Sequence, residues 1–449
     1  MASLTERSPA TTTKSLSHRR ALLALGGGNA VEWYDWMVYG LLASYIGPLY
    51  FPSGSSVTET MSALAVFAVG FAARPLGAII FGTLADRIGR RAVMLFSIGS
   101  MVLSTMIIAL LPSHAVIGVW AGVILLACRI LQGLSTGIEA PLNSAYIVEL
   151  APEGRTARYG GILSAYVQAG IVSASLVCFL TTSVVAPDAM ASWGWRIPFV
   201  VGAVGGLVFL WLRRALPETL HTTGEKTPHT TGEKTPHTTG EKQAEPARVG
   251  RVWAEVWQHR LALLAIVFVV AGAQALQYTW TTGLPNLARS AYHENPDTVF
   301  LVSTLSGICV AALYPLVGRL ADRKRISRTF IASRLAVVPL IFVVLAYQQP
   351  GMATFTVVML VGAPVLAFTM GLYNTVAATL MPTSCRVTGV GLGYAIGVAG
   401  FGGTAPYLLL WLQDHGAGWA FPVYGAVLCL LSVLLYVLVF RRGAVRVGS

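Results

Sequence analysis

Charge is scarce in this chain of 449 residues: Asp, Glu, Lys and Arg make up 11%, against 55% apolar residues. A soluble domain carries about a quarter charged residues to keep its surface wet, so a soluble fold is excluded. Cysteine is scarce as well. The five present (Cys128, Cys178, Cys309, Cys385, Cys429) lie within or at the ends of apolar runs, with no paired spacing and no accompanying histidines, so neither a disulfide framework nor a zinc site is implied. The sequence also lacks the His, Cys or Ser constellation at a membrane edge that a membrane enzyme would need. The polar stretch through Arg20 has no secretory cleavage pattern, because the apolar run from Ala21 is too long for a signal-peptide core; insertion by the first helix itself is expected.

What fills the chain is apolar sequence in long runs. Segments able to cross a bilayer as helices, roughly 20 residues each, fall at about 21–47, 60–82, 92–112, 116–148, 157–184, 196–214, 260–288, 298–320, 329–348, 352–381, 386–412 and 417–440. The expectation is an all-α membrane protein with twelve transmembrane helices in two six-helix pseudo-symmetric halves. The halves cover 21–216 and 260–440, joined by a cytoplasmic linker at 217–259 and flanked by cytoplasmic tails at 1–20 and 441–449. With the N-terminus inside, 27 of the 31 Lys and Arg fall in cytoplasmic segments, the series Arg319 to Arg334 among them. Both termini are therefore expected inside a cytoplasmic (inner) membrane. The net charge of +12 is dispersed over separate loops, which fits topology and not nucleic-acid binding.

A charged, turn-rich decapeptide from Gly82 to Arg91 separates two of these runs, and a shorter cousin, Gly318 to Arg323, recurs in the second half. One hinge per half in a duplicated bundle points to a transporter. Asp86 is expected to cap or pair a neighbouring helix end near Arg90, making these two residues the gating candidates. Between the halves, three copies of His-Thr-Thr-Gly-Glu-Lys begin at His221, His229 and His237. Such composition cannot bury a core and reads as a disordered linker. Beyond it, Trp253 and Trp257 share one helical face, as suits a short helix on the membrane surface.

The chemistry must come from the few ionisable residues inside apolar runs, since a charge at membrane depth is costly and faces the bundle interior. In the first span Asn29, Glu32, Asp35 and Tyr39 recur at spacings of three, three and four and so share one face. Arg74 stands twelve residues before Asp86, roughly 18 Å of helix from the hinge. The fourth span carries Arg129, Gln132, Thr136, Glu139, Asn143 and Tyr146 on one stripe, either a cavity lining or a hydrogen-bonded helix seam at Gly133 and Gly137. The second half has no carboxylate inside any span; it offers Gln274, Gln277, Tyr278, Thr281, Tyr373, Asn374, Tyr394, Thr404 and Tyr407. Charge coupling is expected in the first half and hydrogen bonding to cargo in the second.

The decapeptide resembles the loop between helices two and three of the major facilitator superfamily, and Arg-Ile-Leu-Gln-Gly at 129–133 resembles that superfamily's fourth-helix motif, in which the Arg is linked to proton coupling. More narrowly, the motifs at 28–36, 74–77, 137–139, 193–199 and 401–406 together resemble the metabolite:proton symporter family. Residues 278–282 and 401–406 look most like its 2-oxoglutarate and dicarboxylate permeases. Where that family often has Gly-Gly-Glu followed by an aromatic residue and Gly, this chain has Gly137-Ile138-Glu139-Ala140-Pro141, and the proline is expected to kink the helix.

The resemblance implies a single-polypeptide, monomeric symporter with alternating access, needing no cofactor beyond the proton as coupling ion, its partners being a small-molecule substrate, protons and the lipid bilayer. Asp35 and Glu32, then Glu139, are the proton-site candidates. Arg74 and Arg129 can grip a cargo carboxylate with a bidentate fork, with Asn29, Gln168, Tyr278 and Thr281 as neutral lining. Two deep arginines against three carboxylates leave the site at −1, or neutral once one carboxylate is protonated. That balance fits an organic acid and also a zwitterionic osmolyte such as betaine or proline. A channel or a nontransporting sensor are the alternatives of another class. Deleting one or two copies of the repeat between His221 and Lys242 is expected to leave uptake unchanged; loss of uptake by a normally inserted protein would make the linker part of the cycle.

Overall fold

A backbone in lipid must satisfy its own N–H and C=O groups, and the chain does so almost entirely with helices. The computed structural model describes residues 12–88, 90–137, 156–215, 249–324, 326–345, 350–382 and 384–441. In the first half these form α1 (Thr12–Leu41), α2 (Ala43–Tyr50), α3 (Ser56–Ile88), α4 (Arg90–Leu110), α5 (Trp120–Thr136), α6 (Thr156–Val184) and α7 (Arg196–Ala215). A short helix α8 (Val249–Gln258) then leads into α9 (Arg260–Tyr278), which runs through a π-helical turn (Thr279–Gly283) into α10 (Leu284–Ser290). There follow α11 (Pro296–Lys324), α12 (Ile326–Leu345), α13 (Met352–Thr379), α14 (Arg386–Gly397), a second π-helical turn (Val398–Gly402), α15 (Ala405–Asp414) and α16 (Ala420–Arg441).

Polarity is distributed inside out. Leu76, Ile79 and Ile80 on α3 are at least half exposed, while Glu32, Asp35, Arg74, Arg129 and Gln132 are buried. This is the arrangement of a protein solvated by lipid. Among the described residues seven helices are long and apolar enough to cross a membrane, and the pair Pro187–Gly194 and Arg196–Trp211, bent by 48°, makes an eighth if taken as one span. Leu95–Leu110 and Trp120–Thr136 are shorter apolar helices. The rest of the expected fourth span, the repeat linker and residues 1–11 and 442–449 of the tails lie outside the described residues, while residues 12–20 of the expected N-terminal tail are helical as the start of α1.

Small residues fix the helix crossings. On the α3–α5 seam a Cβ on Gly133 would lie 1.9 Å from the Gly70 carbonyl oxygen, and one on Gly77 would lie 2.0 Å from that of Leu134. Only hydrogen fits there, so α3 and α5 touch backbone to backbone and bring Arg74 and Arg129 to adjacent depths. α1 meets α6 in the same way at Gly170 and Ala30. Helices of the first half meet the second along α6 with α11, along α3 with α14 and α15, and between the α1–α2 corner and the α9–α10 turn.

One assignment of the sequence reading is corrected. Arg334, counted with the cytoplasmic series, is fully buried on α12, where its guanidinium donates to the Val269 carbonyl at 2.8 Å. α12 begins at Ile326, so Arg334 stands about 12 Å up the helix. Its charge ties α12 to α9. Asp322, in the shorter cousin of the decapeptide, accepts the backbone N–H of Arg158 at 3.1 Å in the first turn of α6, a contact with a helix end like the one expected of Asp86, here made across the halves. The Asp86 and Arg90 side chains lie outside the described residues.

At the opposite end the seam is closed by one face of α9–α10. Thr282 packs on Gly40, where a Cβ would lie 2.9 Å from the Thr282 hydroxyl. One turn on, Asn286 donates to the Gly40 carbonyl at 2.6 Å and accepts the Ser44 N–H at 3.2 Å. Three residues further, the Arg289 guanidinium stacks over the Tyr45 ring at 3.9 Å. Two seam-crossing hydrogen bonds are worth about 1 kcal/mol each, so Asn286→Ala should lower the closed-to-open ratio of this end about 30-fold. Spin labels at Ser55 and Asp414 read this as a grown long-distance population in pulsed dipolar spectroscopy. An unchanged distance distribution would show that Asn286 does not hold the seam.

Candidate functional site

The α1 stripe is buried as its spacing requires, with Asn29, Glu32, Asp35 and Tyr39 all turned into the bundle. Asp35 is enclosed by three helices. Its carboxylate accepts the Thr105 hydroxyl from α4 and, at 2.8 Å, the Gln132 amide from α5. Arg129 approaches the same carboxylate at 3.7 Å. Gln132 also donates to Thr105 at 3.0 Å, so acceptor and donors form one closed set inside the first half. The Arg129 guanidinium lies 3.9 Å over the Tyr39 ring and 5.6 Å from that of Trp36, while its three nitrogens make no hydrogen bond. Ion pairing and ring faces hold this cation in place.

One turn along α1, Glu32 pairs with Arg74 at 3.4 Å. Arg74 sits over Phe71 at 4.3 Å, Trp36 at 4.5 Å and Trp33 at 5.8 Å. Both guanidinium groups thus lie within 6 Å of the one Trp36 indole. Nε and Nη2 of Arg74 are buried without a hydrogen-bond partner. Both guanidinium groups keep nitrogens free of hydrogen bonds, so the two pairs differ in their surroundings: the Asp35 pair is enclosed by its own half, and Arg74 sits where Tyr278 of the second half packs on Trp33 and Phe71.

Facing Arg74 is a neutral wall from the second half. Tyr278 stacks on Trp33 at 6.0 Å and meets Phe71 edge-on at 5.0 Å. Gln274 donates to the Tyr373 hydroxyl at 3.1 Å and lies 3.4 Å from that of Tyr394. Gln277 donates to Gln168 across the halves at 3.3 Å, with the Tyr314 hydroxyl reaching the same oxygen at 3.5 Å. The Tyr278 hydroxyl and the side-chain amide oxygens of Gln274 and Gln277 are buried without partners. These atoms can donate to and accept from a polar guest. The π-helical turns at Thr279–Gly283 and Val398–Gly402 border this wall, and a Cβ on Gly402 would lie 3.0 Å from Gln274. Such turns recur where a helix is locally reshaped for function.

Of the sequence candidates, Glu32, Asp35, Arg74, Arg129, Gln168 and Tyr278 come together here, with Asn29 one turn away on α1. Thr281 gives its hydroxyl proton to the Gln277 carbonyl of its own helix at 2.8 Å, and Thr404 does the same to Gly400. Glu139 lies outside the described residues. Trp36, Phe71, Thr105 and Tyr314 were missed as site residues. Thr105 left one trace, a hydroxyl in an otherwise apolar run, and the aromatic residues looked like ordinary packing. Among the described residues no cluster of His, Cys, Asp or Glu could hold a metal ion.

The Major Facilitator Superfamily profile matches residues 28–404. The chain is 32% identical to the alpha-ketoglutarate permease of Escherichia coli, covering 99% of both chains. It is 30% identical to the citrate-proton symporter of Klebsiella pneumoniae over 95% of this chain and 92% of that one. With the proline/betaine transporter of Salmonella typhimurium it shares 29% over 90% and 80%. Its fold is that of the D-xylose-proton symporter, at a TM-score of 0.67 and 17% identity, covering 94% and 97% of the two chains. A bacterial homolog of the human lysosomal transporter Spinster, in an inward-facing conformation, is similar at a TM-score of 0.63 and 17% identity over 96% and 99%. The chain thus belongs to the Major Facilitator Superfamily, with the metabolite:proton symporters its motifs resemble, and is a multi-pass membrane transporter and not an enzyme.

Proposed function

We propose that the protein is a proton-coupled importer of a small organic acid of the 2-oxoglutarate or dicarboxylate type. In this reading it works by alternating access between two six-helix halves of a twelve-helix monomer, with both termini in the cytoplasm. The observation that carries the reading is the asymmetry of the two ion pairs. Arg129 is held by Asp35, Tyr39 and Trp36 of the first half, whereas Arg74, its Nε free of any hydrogen bond, lies beside a wall whose neutral hydroxyl and amide groups have unpaired atoms; a carboxylate is the guest that satisfies a guanidinium fork. The likeness to permeases named for alpha-ketoglutarate and citrate supports the same cargo class.

The proton then belongs to Asp35. Unit charges 3.7 Å apart attract by about 4 kcal/mol at an effective dielectric near 20, and protonating Asp35 forfeits that attraction while Arg129 stays charged. Proton arrival therefore favours a rearrangement that brings a new anion towards Arg129. Cargo meanwhile competes with Glu32 for Arg74. Bound cargo and bound proton thus each loosen one pair of the same α1 face, and both are released when the halves rock to the cytoplasmic side.

A zwitterionic osmolyte is the second reading, favoured by the likeness to the proline/betaine transporter and by the aromatic residues at the site. Its cationic group would need an open ring face, but the Trp36 and Phe71 faces already carry Arg74. The organic acid is the better fit.

Uptake into proteoliposomes tests the assignment. Asp35→Asn, which mimics the protonated state, should abolish accumulation driven by a pH gradient while exchange of labelled for unlabelled cargo persists. Arg74→Lys keeps the charge without the fork and should raise the KM for a dicarboxylate roughly tenfold or more, one charge-assisted pair being worth about 1.5 to 3 kcal/mol. If Asp35→Asn still accumulates cargo, Glu32 and then Glu139 inherit the proton role. If betaine and not a dicarboxylate is taken up, the cargo class is wrong.

A further inference from the structure

Outside the transport site, the corner where α8 turns into α9 forms a half-open groove of about 640 Å³. The corner follows from His259, whose backbone (φ −96°, ψ 31°) leaves the helical region between the two helices. The groove's rim is polar, with Trp257, Gln258, His259 and Arg260, and its floor is apolar, with Leu261 and with Val439 from α16. α8 is pinned from its other side, where Val256 is buried and Glu255 accepts the Ser384 hydroxyl just ahead of α14. Its remaining face looks outward, leaving Trp253 41% and Trp257 68% exposed. Two exposed indoles at the level where one span begins and another ends, at Arg441, mark the membrane–water boundary.

Charge decides what fits. Arg260 is exposed, and among the described residues it makes no ion pair; the nearest carboxylate along the chain, Glu255, is engaged with Ser384 on the opposite side of α8. The mouth is therefore cationic and aromatic and the floor is hydrocarbon. We infer that this groove binds an anionic phospholipid of the surrounding membrane, its phosphodiester held by Arg260 beside His259 and Gln258, its glycerol region against Trp257 and the start of one acyl chain against Leu261 and Val439. An arginine at the membrane surface is attracted to anionic headgroups in this way. The lipid ties α8, through which the linker joins the second half, to the membrane surface.

Thermal unfolding of the purified full-length protein in a neutral detergent tests the inference, with added phosphatidylglycerol, phosphatidylcholine or inorganic phosphate. For a chain of this size a ligand at about 100 times its Kd raises Tm by about 3 °C. Phosphatidylglycerol is expected to give that rise and the other two additions much less. Arg260→Gln and Trp257→Ala should each lose at least half of it, Arg260→Lys should keep most, and Arg328→Gln, an exposed charge on α12, should keep all. Equal effects of the two lipids, an equal effect of inorganic phosphate, or equal losses in Arg260→Gln and Arg328→Gln would overturn the inference. The first and third would mean no site for anionic headgroups at this corner, and the second a site for free anions.

Discussion

A carboxylate and a guanidinium at the depth of Asp35 and Arg129 can be tolerated only as a pair, because each ion alone costs several kcal/mol to bury. The rest of the first half is organised by that constraint. Thr105 and Gln132 satisfy the lone pairs of Asp35 that Arg129 does not reach, and Tyr39 and Trp36 supply the faces on which Arg129 rests. Backbone contact at Gly70 and Gly133 sets the approach of α3 to α5, so the two arginines share one indole without sharing a carboxylate. A bulkier residue at either glycine would separate the helices and break both pairs at once.

The second half is built on the opposite rule. It meets the charged face with amides and hydroxyls; of its buried guanidinium groups among the described residues, Arg334 on α12 is turned towards the Val269 carbonyl and Arg289 on α10 lies over Tyr45 at the far end of the seam. Moving the halves against each other therefore moves no charge of the second half across the site. Neutral contacts such as Gln277 with Gln168 or Asn286 with Gly40 can be exchanged at about 1 kcal/mol each, whereas separating a buried ion pair costs several times more. A carrier that must cycle gains from confining its strong interactions within one half and its weak ones to the seam.

The α1 face was legible in the sequence because Asn29, Glu32, Asp35 and Tyr39 follow the helical period, and Arg129 with Gln132 follow it on α5. Which arginine takes which carboxylate was not legible. A helical period says nothing of how a neighbouring helix is rotated; that is settled by the glycine contacts between helices. Thr105 and Trp36 escaped because a single hydroxyl or indole in an apolar run looks like packing until its neighbours are known. Arg334 was counted with the dense basic series it follows, although the expected span at 329–348 already held it; α12, starting at Ile326, carries it inside the bundle, fully buried.

The central claim is that Asp35 carries the proton and Glu32 does not. Infrared difference spectroscopy of the reconstituted protein reads protonated carboxylic acids directly through their C=O stretch as pH is lowered. The account predicts a pH-dependent band that disappears in Asp35→Asn and survives in Glu32→Gln. A band that survives Asp35→Asn and vanishes in Glu32→Gln would contradict it.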